Sequence, residues 1–289
     1  MLPGVERGDP PSLHRARIAS RRLRELLPVL QIQPDRARKL GRRLRKVTDR
    51  LGAVRELDVL ILVIDELHVS RRFQTAVLSR VRRTITRSRD QARKRLSDRL
   101  SIDDLWRIAK RLRRVVDDLD EAEESSSSAR AWRWVVDARI ARRAGRLHAA
   151  VEEAGAMYLP ERLHVVRVAL KKLRYALELR AEIDGRGASA DIRALKRVQD
   201  VLGRMHDLQE LIERVRQTQA SLAPPNVAVW RDLDALVAAL EDDCRRLHAR
   251  YMRARPSVLA VAEKVIVTEK LMARRKGNGA FPHSTRRVG

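Results

Sequence analysis

Apolar residues return every three or four positions along almost all of this 289-residue chain, and strand-like alternation is nearly absent. A chain written at that period buries one stripe of each helix against another helix, so the expected fold class is all-α. Glycines and prolines fall mostly between the periodic segments. Pro10-Pro11-Ser12 opens the first helix, with Ser12 as its N-cap, and Pro28 and Pro34 bracket its end and the next start. The spacing predicts further helices over 35–50, 53–68, 71–98, 101–121, 129–155, 161–183, 189–218 with a break at Gly203, 228–253 and 257–273. The stretch Leu57 to Ile64 is rich in β-branched residues, yet its helical flanks and lack of a partner strand make it a buried helix.

Residues 117–128 interrupt the pattern, where six acidic residues between Asp117 and Glu124 run into Ser125 to Ser128 and read as a linker or surface turn. On either side of it the sequence repeats. The segment Leu13–Leu27 answers to Leu163–Leu177, with His14 on His164, Arg17 on Arg167, Arg21-Arg22 on Lys171-Lys172 and Arg24 on Arg174. The next helix repeats too: Leu44–Leu57 matches Leu195–Leu208, and the offset moves from 150 to 151. Two matching blocks in the same order predict two similar helical bundles related by a pseudo-twofold axis, over 12–124 and 125–275, with 276–289 a disordered basic tail.

Charge narrows the partner. Sixty-three Lys+Arg, fifty-three of them arginine, stand against 38 Asp+Glu for a net +25. Such an excess attracts a polyanion: nucleic acid, an anionic membrane or a polymeric phosphate. Aromatics at 3% are few for a protein that stacks on single-stranded bases. One cysteine, Cys244, excludes an internal disulfide framework and a cysteine-based zinc site. No apolar run approaches the roughly 20 residues of a membrane span, and the first residues lack the apolar core of a secretory signal. The expectation is a soluble cytoplasmic protein with no membrane insertion.

The charge is arranged in rows. On a helical wheel His14, Arg17, Arg21 and Arg24 fall within roughly 80° of one another, nearly opposite Ala16, Ala19, Leu23, Leu26 and Leu27. The second copy sets His164, Arg167, Lys171 and Arg174 opposite Val166, Ala169, Leu173 and Leu177. Arg38, Arg42 and Arg45 form another row, with Arg193, Lys196 and Arg197 as counterpart; Arg80, Arg83, Arg87 and Lys94 form a further one, loosely echoed by Arg246, Arg250 and Arg253. An ordinary solvated face would interleave both signs at i,i+4. Here the acids gather elsewhere, in 117–124 and 232–243, so the rows read as an anion-binding surface.

His14 and His164 head their rows, where a ring N–H can donate to a phosphate oxygen, whereas His68, His148 and His248 read as structural. Neither row-heading histidine has a carboxylate or thiol at ligand spacing, so no metal is expected, and no P-loop, GxGxxG or GxSxG occurs. His206-Asp207 is a common helix-end pair rather than a catalytic dyad. An enzyme acting on phosphate polymers needs carboxylates beside the basic rows to hold a metal or act as base, and none is well placed.

The paired motif His-x-x-Arg-x-x-x-(Arg/Lys)-(Arg/Lys)-Leu-Arg, with Leu51-Gly52 and Arg55-Glu-Leu-Asp-Val59 in the first copy and Leu202-Gly203 and His206-Asp-Leu208 in the second, resembles the CHAD family, the conserved histidine α-helical domain. The resemblance covers about residues 12–273. It implies two four-helix bundles enclosing a basic pocket or channel that binds inorganic polyphosphate, in some members on polyphosphate granules. By that resemblance the binding residues are His14, Arg17, Arg21, Arg22 and Arg24, and His164, Arg167, Lys171, Lys172 and Arg174. Arg42, Arg45, Lys46, Lys196 and Arg197 follow from the second helix, and the row reading adds Arg83 and Arg87. One departure is that the second copy reads His206-Asp207 where the first has Arg55-Glu56. The Glu-x-Glu-x-Lys triplet of the CYTH triphosphatases that many CHAD domains are fused to does not occur. The sequence therefore predicts a non-enzymatic, cofactor-free polyphosphate-binding protein, with a nucleic-acid-binding or architectural protein as the alternative.

Overall fold

A computed structural model describes residues 4–5, 9–28, 30, 32–120, 126–222 and 226–277. They form eight helices and no strand: α1 (Pro10–Leu26), α2 (Pro34–Val69), α3 (Thr75–Arg99), α4 (Ile102–Asp120), α5 (Ser126–Ala154), α6 (Pro160–Ile183), α7 (Ala190–Ala220) and α8 (Val227–Gly277). The fold is all-α. Helices α1, α2 and α6 each begin on proline, whose missing N–H and fixed φ suit a first turn.

Several boundaries differ from the sequence expectation. The N-cap of α1 is Asp9, whose carboxylate accepts from the Ser12 N–H at 3.0 Å; Ser12 itself is a buried residue of the first turn. The helices expected over 35–50 and 53–68 are one 36-residue helix running through Gly52. Helix α7 likewise runs unbroken through Gly203, and the helices expected at 228–253 and 257–273 merge into a 51-residue α8 with Pro256 inside it. An interior glycine costs about 1 kcal/mol and a proline about 3. Burying one large aliphatic side chain returns about 1.5–3 kcal/mol, and these interruptions are flanked by buried Leu51 and Val54, Leu202 and Met205, and Tyr251 and Val258. Helix α3 starts at Thr75 rather than 71 because Arg71 takes the left-handed conformation (φ 52) and turns the chain. The break expected at 117–128 contracts, since α4 continues to Asp120 and α5 starts at Ser126; its residues 121–125 lie outside the described ones, as do 278–289 of the expected tail.

The stretch Leu57–Ile64 is helical, with Leu57, Asp58, Leu60, Ile61, Val63 and Ile64 buried.

The chain divides into two compact units, Met1–Trp132 with Val201–Arg250, and Arg133–Asp200 with Tyr251–Gly289. They interleave along the sequence, so α5, α7 and α8 each contribute residues to both.

In the first unit α1 packs antiparallel on α2. Leu13, Ala16 and Leu27 meet Leu40, Leu44, Val47, Leu51 and Val54, and Leu96, Leu100 and Ile108 extend the same core into α3 and α4. One buried polar contact lies in that seam: the Thr48 and Ser20 hydroxyl oxygens are 3.0 Å apart, next to the Leu44 and Arg17 carbonyls that accept from them. Helix α3 runs back along a different flank of α2, fixed by Arg82–Asp65 at 2.9 Å and Arg93–Asp58 at 3.5 Å. In the second unit α5 and α6 pair antiparallel through Arg180–Asp137 at 2.9 Å and the buried Arg143, which donates to the Lys172 carbonyl at 2.8 Å. The C-terminal part of α8 is held by Arg255–Glu152 and His148–Glu263, and by Lys264–Asp191.

Candidate functional site: two basic helix faces

In the first unit the α1–α2 register decides what the basic row meets. Ser20 faces Thr48, and Arg17 lies over Gly52, where a Cβ would sit 3.7 Å from its Nε and 3.8 Å from its Nη2. That antiparallel register sets His14 beside Arg55, with Arg17 and Arg21 following it along α1. The face of α2 turned to the row is thus Arg45, Asp49, Gly52, Arg55 and Glu56, positions that repeat at three and four along one stripe.

The electrostatics follow from this crowding. His14 is held below the ordinary imidazole value by partial desolvation first, then by the charges of Arg55, Arg17 and Arg21. The Arg17 guanidinium is also pushed down, by burial above all; Glu56 and Asp49 oppose that and Arg55 adds to it. Its Nε is buried with no hydrogen-bond partner. His14, Arg24 and Arg55 make no hydrogen bond or ion pair among the described residues. Cations gathered so closely repel one another, and an anion in front of them relieves that repulsion and supplies acceptors for their N–H groups.

Arg22 is exposed on α1, and Arg42, Arg45 and Lys46 are exposed on α2. Arg83 and Arg87 are exposed on α3, which packs on a flank of α2 roughly 130° around the helix from the α1 face. No described contact joins Arg83 and Arg87 to the His14 cluster. The rows are also less purely basic than their sequence suggests. Arg45 lies 3.8 Å from Asp49, and Arg38 pairs with Asp35 and Arg246 with Asp243 on their own helices. The acids stand three or four residues away, beside the rows rather than in them.

In the second unit His164 and Lys172 are exposed on α6, Arg167 and Lys171 half-buried, and Lys196 and Arg197 exposed on α7. Arg174 differs from its expected role as an open donor. Its side chain is only 11% exposed, ion-paired with Glu178, donating to Gln199 Oε1 at 2.9 Å and stacked 4.5 Å above the Tyr175 ring. It ties α6 to α7. Of the histidines read as structural, His148 lies 3.4 Å from Glu263 and His248 is pushed down by burial, while His68 is exposed at the end of α2.

Two residues matter more than the sequence reading allowed. Arg55 belongs to the motif after Gly52 and to none of the basic rows; its signal in the sequence is its place one turn beyond Gly52 on the stripe facing α1. Arg143 braces the backbone at Lys172 from inside the fold, and nothing in its own helix marks it out. Among the described residues no three His, Cys, Asp or Glu side chains are gathered as a metal would require, and no helix is long and apolar enough to cross a membrane.

No curated protein and no solved structure matches the chain significantly. The model of the CHAD domain family matches residues 2–216. That span holds both copies of the His-headed helix and both copies of the helix that follows, though the resemblance read from the sequence extends further, to about residue 273. With both copies of the motif inside the match and about three quarters of the chain covered, the chain belongs to the CHAD domain family.

Proposed function

We propose that this protein binds inorganic polyphosphate, without catalysis, through the basic faces of α1–α2 in one unit and α6–α7 in the other. The CHAD family is linked to polyphosphate binding. The observation that carries the reading for this chain is the cluster of His14, Arg17, Arg21 and Arg55, in which desolvation first and then the three guanidinium charges depress His14, and whose buried Arg17 Nε lacks a partner. Polyphosphate is a flexible run of near-identical anionic units with no edge to be read. Rigid helices bearing many guanidinium groups suit it, because each phosphoryl oxygen can take a charge-assisted and sometimes bidentate bond. A granule surface presents the same polymer. The family's binding residues carry over onto His14, Arg17, Arg21, Arg22 and Arg24, and onto His164, Arg167, Lys171 and Lys172, with Arg42, Arg45, Lys46, Lys196 and Arg197 as flanking donors. Arg55 joins them.

Competition between labelled long-chain polyphosphate and duplex DNA at about 150 mM salt tests the reading. DNA is expected to compete poorly at equal phosphate concentration; equal competition would leave a general polyanion binder. Arg21→Glu with Lys171→Glu is expected to abolish most polyphosphate binding while helical content and melting midpoint stay close to the native ones. Release of phosphate from polyphosphate with Mg²⁺ or Mn²⁺ present would replace the binding reading with a hydrolytic one.

A further inference from the structure

A second cationic feature of the first unit belongs to neither basic face. A cleft of about 410 Å³ opens between the start of α2 and the last turns of α4, within the roughly 300–1,000 Å³ of small-molecule sites. Four cations line it, Arg36 and Lys39 from α2 and Arg111 and Arg114 from α4, and of these Lys39, Arg111 and Arg114 make no ion pair among the described residues. Leu40 and Val115, 5% and 8% exposed, form an apolar wall where the helices meet. Asp117, one turn beyond Arg114, also lines the cleft and makes no hydrogen bond among the described residues. At the same end Arg36 Nη1 donates to Asp118 Oδ2 at 3.2 Å, tying α2 to α4.

From this arrangement we propose that the α2–α4 cleft binds a nucleoside 5′-phosphate. Each part of that ligand has a complement. The dianionic phosphate relieves the repulsion among Lys39, Arg111 and Arg114, and the two arginines stand at i,i+3 on one helix face, spaced to grip it from the same side. The flat base lies against Leu40 and Val115. The ribose hydroxyls donate to the Asp117 carboxylate, an acceptor that the proton-free internal units of polyphosphate cannot use; the P–OH of inorganic phosphate can donate to it, but brings no base to the apolar wall. A phosphate polymer is the poorer occupant of this cleft because it gains nothing from the apolar wall and meets Asp117 and Asp118. The site shares no residue with the proposed polyphosphate faces and does not rest on that reading.

Equilibrium dialysis of the full chain against labelled AMP at about 150 mM salt tests the proposal, with inorganic phosphate and ribose 5-phosphate as competitors. Saturable one-to-one binding is expected, displaced by AMP at a concentration at least about tenfold below that needed of inorganic phosphate. Arg111→Glu with Arg114→Glu should weaken AMP binding at least about tenfold and leave long-chain polyphosphate within about twofold, whereas Arg21→Glu with Lys171→Glu should do the reverse. Asp117→Asn, at an exposed position, should weaken AMP and leave long-chain polyphosphate within about twofold. If the double arginine variant unfolds by circular dichroism, Lys39→Gln and Asp117→Asn carry the same comparison. Absence of saturable AMP binding, displacement by inorganic phosphate as effective as by AMP, or loss of AMP binding through the α1–α6 variant alone would each overturn the proposal.

Discussion

Removing Arg21 and Arg55 together separates a built site from a diffuse basic surface. Both lie in the cluster where desolvation first, and then the charges of Arg55, Arg17 and Arg21, depress His14. Each cation that neutralises a phosphate contributes about 0.7–0.9 to the slope of log affinity against log salt, on the scale set by single- and double-stranded nucleic acid. Two such cations contribute about 1.4–1.8. A fourfold rise in salt, from about 50 to 200 mM, should then weaken Arg21→Gln with Arg55→Gln about 7- to 12-fold less than it weakens the native protein. The variant should also bind more weakly at the lower salt, where the lost contacts count most.

Fluorescence anisotropy of end-labelled polyphosphate, titrated at several salt concentrations, reads the slope directly. The control is Arg83→Gln with Arg87→Gln. These two are exposed, carry the same charge and sit on α3, on a different flank of α2 from the cluster. Their removal changes net charge by the same amount and should leave the slope almost unchanged. If the control flattened the slope as much as the cluster variant, binding would follow total charge, and the geometric reading of the α1–α2 face would be wrong.

Four further outcomes are expected. His14 sits below the ordinary imidazole value, so an anion against Arg55, Arg17 and Arg21 raises its pKa and binding takes up a proton; affinity should strengthen as pH falls through about 6.5, and His14→Gln should flatten that part of the profile. In the free protein the sign is opposite: the depressed imidazole favours the fold above about 6.5, and some stability should be lost as pH falls below it, measurable in chemical denaturation of the native protein against His14→Gln. Arg174→Lys breaks a nearly buried link among Glu178, Gln199 and Tyr175 and should cost about 1–3 kcal/mol in denaturant midpoint, with polyphosphate affinity moving less than in Arg167→Gln. At Gly203, inside α7 with open space where a Cβ would go, Gly203→Ala should raise stability by about 0.5–1 kcal/mol in the same assay.

The fold class was legible because a 3.6-residue period is dictated by the helix itself and needs no knowledge of partners. Helix boundaries were less so, and in one direction. Gly52, Gly203 and Pro256 read as stops, yet each lies inside a continuous helix. A breaker's local penalty is visible in sequence, whereas the burial that outweighs it depends on neighbours distant in the chain. The N-cap shows the same limit at short range. Ser12 has the right chemistry, but Asp9 stands where the Ser12 N–H points, and two prolines between them leave that amide as the donor to be satisfied.

The basic faces divide on the same physical line. Angular arithmetic places residues around one helix correctly, so His14, Arg17 and Arg21 do share a side of α1, and Arg83 and Arg87 do point to solvent on α3. It carries no information about which side of α1 turns toward which side of α2. That depends on the register set by Leu13, Ala16, Leu44 and Leu51 in the seam, and only the register brings Arg55 to His14 while leaving Arg83 on another flank. Charge is equally silent about occupancy: Arg174 and Lys171 belong to one row, but Glu178 and Gln199 are positioned to take up the Arg174 guanidinium. Matching positions in two copies of a motif therefore need not be matching donors. Arg24, with no hydrogen bond or ion pair among the described residues, should contribute to polyanion binding where its counterpart Arg174 contributes to the fold.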